Sequence, residues 1–151
     1  MKKLSEVFVL FGIILNFLSL IIPWLEINFF EANNPANVVY SIIITPCLFW
    51  TNLLASLLFV SGIITLVLLF LSWINKKEKY AFYSAVLMFV EIVFFIAYLQ
   101  SIVVTEVKYI LTTLSSSLGI DILVDITILL GPIVLLLASI FSALTVILEY
   151  L

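Results

Sequence analysis

Histidine and arginine are absent from this chain, and cysteine occurs once, at Cys47. Without His there is no imidazole to ligate haem or a metal, or to act as a general base. A single Cys excludes an intrachain disulfide, a CxxC redox pair and a thiolate cluster. Without Arg the bidentate clamp for phosphate and carboxylate is missing. The lysines form no basic patch of the kind that nucleic acid requires, so no nucleic-acid partner is expected. Charge of either sign is scarce: 10% of the 151 residues are charged, the formal net charge is -3, and 66% are hydrophobic. Soluble domains run nearer half apolar and a quarter charged, so this composition, with a mean hydropathy of +1.40, excludes a water-soluble globule. No catalytic motif is present. The expectation is a membrane protein that is not an enzyme and carries neither cofactor nor metal.

Four apolar runs are long enough to cross a bilayer, which takes about 20 residues of helix. They cover residues 4–25, 46–74, 80–105 and 122–148. The first follows Lys2 and Lys3, but it exceeds a signal-peptide core. Pro23-Trp24-Leu25-Glu26 is no small-residue cleavage site, so an uncleaved span is expected. Pro46 suits a helix first turn and Asp121 a helix N-cap. Gly131-Pro132 falls inside the fourth run and predicts a kink there. The fold class that follows is an all-α membrane protein: a single-domain antiparallel bundle of four transmembrane helices. Residues 26–45 and 106–121 form its outer loops and residues 75–79 a tight cytoplasmic turn.

Lysine placement sets the orientation. Lys2, Lys3, Lys76, Lys77 and Lys79 share one side, and Lys108 alone joins Glu26, Glu31, Glu106, Asp121 and Asp125 on the other. The positive-inside rule then places both termini in the cytoplasm of a multi-pass protein of the cell membrane. Trp24 and Trp50 at the outer ends, and Trp73, Tyr80, Tyr83 and Tyr150 at the inner ends, are expected as interface anchors. Trp50 and Trp73 are separated by about 35 Å of helix at about 1.5 Å per residue, which matches a bilayer with its interfaces.

The loop at residues 26–45 has enough sequence to hold structure of its own. Asn33-Asn34-Pro35 is a turn signal, and residues 38–45 are rich in β-branched side chains. A short hairpin over residues 27–44 with its turn near Asn33–Asn37 is the first choice. Continuation of residues 38–45 as helix into the second span is the alternative. With Pro23-Trp24 closing the first span and Trp50 opening the second, the chain resembles the claudin-like tetraspan membrane proteins. The resemblance implies four helices with a β-structured first outer loop. The loop lacks the Gly-Leu-Trp and the cysteine pair of claudins, since Cys47 only follows it.

Glu91 is the one ionisable residue deep inside a span, about 18 Å above the inner turn at about 1.5 Å per residue. An acid at that depth should face the bundle interior and have a partner. No basic residue lies within a span, and Asn16, at a similar expected depth, is the first candidate. Ser61, Thr65, Ser139 and Ser142 complete the expected polar centre with Asn16 and Glu91. Asp121, Asp125 and Glu106 lack the defined loop of a calcium site and read as solvated charges. Cys47 reads as an inert thiol.

Two functions fit these residues. One is a non-catalytic scaffold or accessory subunit acting by lateral helix contacts and a small outer loop, with the bilayer, other membrane proteins or its own copies as partners. The other is a small channel or a proton- or cation-linked transporter centred on Glu91. A transport path needs several polar groups in line. Residues 86–88 and 92–96 interrupt any stripe along the third span, which favours the scaffold.

Overall fold

The computed structural model describes residues 3–150, with residues 102–104 described by backbone only; Lys2, counted above, lies outside the described residues. In chain order the elements are α1 (Lys3–Ile21), β1 (Leu25–Glu31), β2 (Asn34–Ile44), a 3-10 turn (Pro46–Leu48), α2 (Leu53–Asn75), α3 (Glu78–Tyr98), a π-helical turn (Leu99–Val103), α4 (Val104–Leu118), β3 (Ile122–Ile128) and α5 (Gly131–Tyr150). By length and composition α1, α2, α3 and α5 are each long and apolar enough to cross a membrane. The protein is mostly helical with a three-stranded sheet, where an all-α bundle with at most a hairpin was expected.

The four long helices close a ring in which α1 packs on α2 and α5, and α3 packs on the same two. Helices α1 and α3 therefore lie diagonally opposite each other. Leu20 of α1 seats against Gly62 of α2, at a crossing where a Cβ would collide with the leucine. One end of the ring gathers both chain ends and the α2–α3 turn. There Glu6 pairs with Lys76 at 2.6 Å, and Ser5 donates to Glu149 at 3.2 Å. Lys76 closes α2 in the left-handed conformation at φ 53, and Ser72 Oγ donates to the Lys77 carbonyl at 3.0 Å, which makes a tight reversal.

The opposite end carries the sheet, in strand order β2-β1-β3. Residues 38–44 are strand rather than helix, paired so that Leu25 faces Ile44 and Phe29 faces Tyr40, with a bulge around Phe30. The turn is tighter than expected and sits at residues 32–33, because Asn34 already pairs with Glu31. On its other side β1 pairs with β3 from Leu25 with Ile128 to Glu31 with Ile122. Leu25, Ile27 and Phe29 alternate into the core over the helix ends, as one buried face of a strand requires.

Three expected boundaries are corrected. The second span begins at Leu53, capped by Asn52 accepting from Ala55 N at 2.7 Å, and Pro46 instead opens the short 3-10 turn. Residues 106–121 are not a loop. The third helix continues through the π-helical turn into α4, whose Val107, Ile110, Leu111 and Leu114 pack toward the core. The fourth span is not helical from residue 122, because Ile122–Ile128 supplies the third strand that a lone hairpin lacks. Asp121 therefore precedes a strand and caps no helix, and Gly131-Pro132 opens α5 instead of kinking it.

Trp24 joins sheet to bundle. Its backbone N–H donates to the Ile44 carbonyl at 2.8 Å, and its carbonyl accepts from Leu129 N at 3.0 Å. Its indole is 1% exposed, meets the Phe95 ring edge-to-face at 5.1 Å and donates to the Ser19 carbonyl at 2.8 Å. It is thus a core residue and not a surface anchor. Gly131 leaves the room for this indole, since a Cβ there would overlap the ring. Gly131→Ala should cost about 1 to 3 kcal/mol by overpacking. A lowered Tm in mild detergent, with a shift of tryptophan emission, checks this; an unchanged Tm contradicts the packing.

Candidate functional site

Several hydroxyl and amide groups of the four long helices meet in the interior of the bundle. Asn16 Nδ2 of α1 donates to Thr65 Oγ1 of α2 at 2.6 Å, and Thr65 Oγ1 donates to the Gly62 carbonyl at 2.8 Å. From α3, Ser84 Oγ donates to the Thr65 carbonyl at 3.1 Å. From α5, Ser139 Oγ donates to the Ala85 carbonyl at 3.1 Å, while Ser142 Oγ turns back to Ala138 at 2.8 Å. Ser19 Oγ donates to the Asn16 carbonyl at 2.7 Å, which extends the series toward Trp24. All four long helices are thereby stitched through the interior. Ser84 and Ser19, outside the expected polar centre, belong to it.

Glu91 stands apart from this layer, and Asn16 is not its partner. Ser84 shares the level of Asn16, and Glu91 lies two turns further along α3, about 10 Å at about 1.5 Å per residue. Two causes separate the pair. Helices α1 and α3 are diagonal in the ring, and Glu6 rather than Lys3 reaches the height of Lys76, which sets α1 lower than its ends imply. Glu91 is 7% exposed, and both of its carboxyl oxygens are buried without a hydrogen-bond partner among the described residues. Asn16 Oδ1 is the other buried oxygen of this kind.

Glu91 forms part of a groove of about 270 Å³ between α2 and α3. Leu57, Leu58 and Ser61 form one wall, and Leu87, Val90 and Phe94 the other. The groove opens on the outside of the bundle, where Leu57, Val90 and Phe94 are themselves exposed. Ser61, half-buried, donates to the Leu57 carbonyl at 2.8 Å and also stands beside the Glu91 carboxyl as its polar neighbour. A second cavity, about 350 Å³, lies at the sheet end between β2, the start of α2 and the α3–α4 junction. Tyr98, Glu106 and Asn52 give it a mixed polar and apolar lining. The stripe at Val107, Ile110, Leu111 and Leu114 is the helical signal in the sequence that would have revealed the α4 wall of this cavity.

The remaining expected residues lie at the surface. Trp50 is 70% exposed, Trp73, Tyr83 and Tyr150 are exposed, and Tyr80 is half-buried. Asp121 and Asp125 are exposed, Asp125 facing Asn28 across the sheet. Among the described residues no three His, Cys, Asp or Glu side chains stand together to hold a metal ion. Cys47 is a half-buried free thiol in the 3-10 turn. No protein-family model matches the chain, and comparison with curated proteins finds no match.

The Asn16–Thr65 bond makes a separable test of the interior layer. Thr65→Val keeps the shape but strands the Asn16 amide, and Asn16→Leu removes the donor. Each should lose about 0.5 to 2 kcal/mol, and the double variant should lose less than their sum because the two groups share one interaction. Additive losses in thermal unfolding in bicelles would show that the bond contributes nothing.

Proposed function

We propose that the chain is a non-catalytic integral membrane scaffold or accessory subunit that acts by lateral helix contact. Its partners are the lipid bilayer and other membrane proteins or further copies of itself. The observation that carries this reading is Glu91: a buried carboxyl whose oxygens complete no hydrogen bond among the described residues, with the Ser61 hydroxyl as its polar neighbour, beside an apolar groove on the outside of the bundle. A buried acid in hydrocarbon costs at least a few kcal/mol unless something completes it, and a neighbouring helix is what reaches that groove. The interior hydroxyls support the same reading. Ser84 and Ser139 donate to carbonyls of neighbouring helices, and Thr65 and Ser142 donate within their own, so these hydroxyls are taken up by helix backbone.

Orientation belongs to the proposal as well. Lys3, Lys76, Lys77 and Lys79 lie at the end with both termini, which the positive-inside rule assigns to the cytoplasm. The sheet then stands outside, and Trp50, Trp73, Tyr83 and Tyr150 serve as anchors at the two interfaces. The resemblance to claudin-like tetraspan proteins agrees with four apolar helices and β-structure between the first two. Nothing in the loop supports the junction-forming part of that likeness, because the cysteine pair is missing.

Two measurements test the proposal. Glu91→Leu removes an unsatisfied acid, so the isolated chain should gain about 1 to 3 kcal/mol of stability while losing association in native-like lipid. Equal losses of both, or undiminished association, contradict the lateral-contact reading. For orientation, in a Cys47→Ser background, Asn34→Cys should react with an impermeant thiol reagent applied outside intact cells and Lys77→Cys should not. The reverse pattern inverts the topology.

A further inference from the structure

We propose that the groove over Glu91 receives a transmembrane helix of a partner protein that carries a lysine at mid-membrane depth. This rests on the lateral-contact reading above and gives it a partner chemistry. Two buried acceptor oxygens without a donor leave a strong local demand, because buried polar groups in native proteins are nearly always paired. Among the described residues the Ser61 hydroxyl is the group placed to answer that demand, and it does so only in part. Ser61 also donates to the Leu57 carbonyl at 2.8 Å, and its single proton cannot serve that carbonyl and two carboxyl oxygens at once. The lysines of the four long helices sit at their ends: Lys3 opens α1, and Lys79 lies in the first turn of α3.

A second copy of the chain meets it no better. An identical chain brings no lysine to mid-helix, and its own Glu91 lies equally recessed. A face-to-face contact of two copies would set one buried carboxyl toward another and bring a cation to neither. A projecting basic side chain supplies one. Lysine has a long apolar stem that runs along leucine and phenylalanine and a terminal amine that completes the acid. The side chains over the carboxyl are half-exposed and turn aside with ordinary rotamer changes, whereas the backbone of the groove stays as it is.

The shape selects a helix over a small ligand. The groove, about 270 Å³, falls below the usual range for enclosed ligand sites, roughly 300 to 1,000 Å³. Leu57, Leu58 and Ser61 rise on one side and Leu87, Val90 and Phe94 on the other. Rows at i, i+3, i+4 and i+7 form the ridges between which a further helix packs. A lipid acyl chain fits the same space, but it brings no donor to Glu91.

The test uses the full chain in phosphatidylcholine vesicles with synthetic transmembrane helices of leucine and alanine, read by energy transfer. One peptide carries a lysine at its centre, one a leucine there, and one a lysine two turns off centre. The central-lysine peptide should associate about tenfold more tightly than the leucine peptide, the size of a single good polar contact in a membrane. The off-centre peptide should lose most of that gain. Glu91→Gln, which keeps the size of the side chain, and Glu91→Leu should both erase the preference. Equal association of the lysine and leucine peptides overturns the lysine partner yet leaves lateral contact standing. So does a preference that survives Glu91→Leu. A chain that associates with neither peptide, nor with a second copy, overturns both.

Discussion

The structure hangs on the indole of Trp24. At the end of α1 the chain must leave a helix, which satisfies its own backbone, and enter a sheet, which satisfies it through neighbours. The change occurs at the edge of an apolar bundle, where an unpaired peptide group is costly. Trp24 resolves it on both sides at once. Its backbone bonds the end of β2 and the residue after β3, and its side chain bonds back to α1 at Ser19 while packing on Phe95 of α3. Gly131 at the head of α5 completes the socket. Sheet and helices therefore share one core, to which Leu25, Ile27 and Phe29 also contribute.

Polar groups inside the ring obey one rule, and among the described residues the Asn16 side-chain oxygen and Glu91 depart from it. Ser19, Thr65 and Ser142 donate to carbonyls of their own helices, and Ser84 and Ser139 tie one helix to the next by donating to its backbone. Such bonds are modest singly but also set the register of neighbouring helices, since the partners meet only when the helices are correctly staggered. The Asn16–Thr65 bond and the Ser84 contact fix α1, α2 and α3 at a common height. Glu91 departs from the rule two turns away. A residue that breaks local consistency without compensation inside its own chain marks where structure yields to another requirement.

The helices were legible in the sequence because each carries one long apolar run, and the spans needed no tertiary information. The hairpin was legible from Asn33-Asn34-Pro35 and the β-branched run after it. What could not be read locally were the elements that exist by pairing. Ile122–Ile128 is as apolar as the helix it precedes, and only the free edge of β1 makes it a strand. Helix α4 was hidden by its serines and threonines, although its apolar stripe has helical spacing. The members of the polar layer were recognisable as residue types, but their connections were not. Depth counted from helix ends put Asn16 opposite Glu91, whereas diagonal placement in the ring and the lower seat of α1 keep them apart. Trp24 misled for a related reason: an aromatic at a span end reads as an anchor until a sheet folds over it.

The outer surface shows why one recessed acid has leverage out of proportion to its size. Phe11, Ile14, Phe17, Val60, Ile63, Phe89, Val93 and Ile140 face outward from the four helices, and in lipid such side chains exchange one hydrocarbon neighbour for another with little gain. Shape and apolarity alone therefore discriminate poorly among possible neighbours. A polar group changes that, because the difference between a completed and an uncompleted contact is set by a donor being present or absent. Glu91 is the group on this surface for which that difference is large. On the proposed lateral-contact reading, removing it would leave a bundle more stable alone and less able to choose its company.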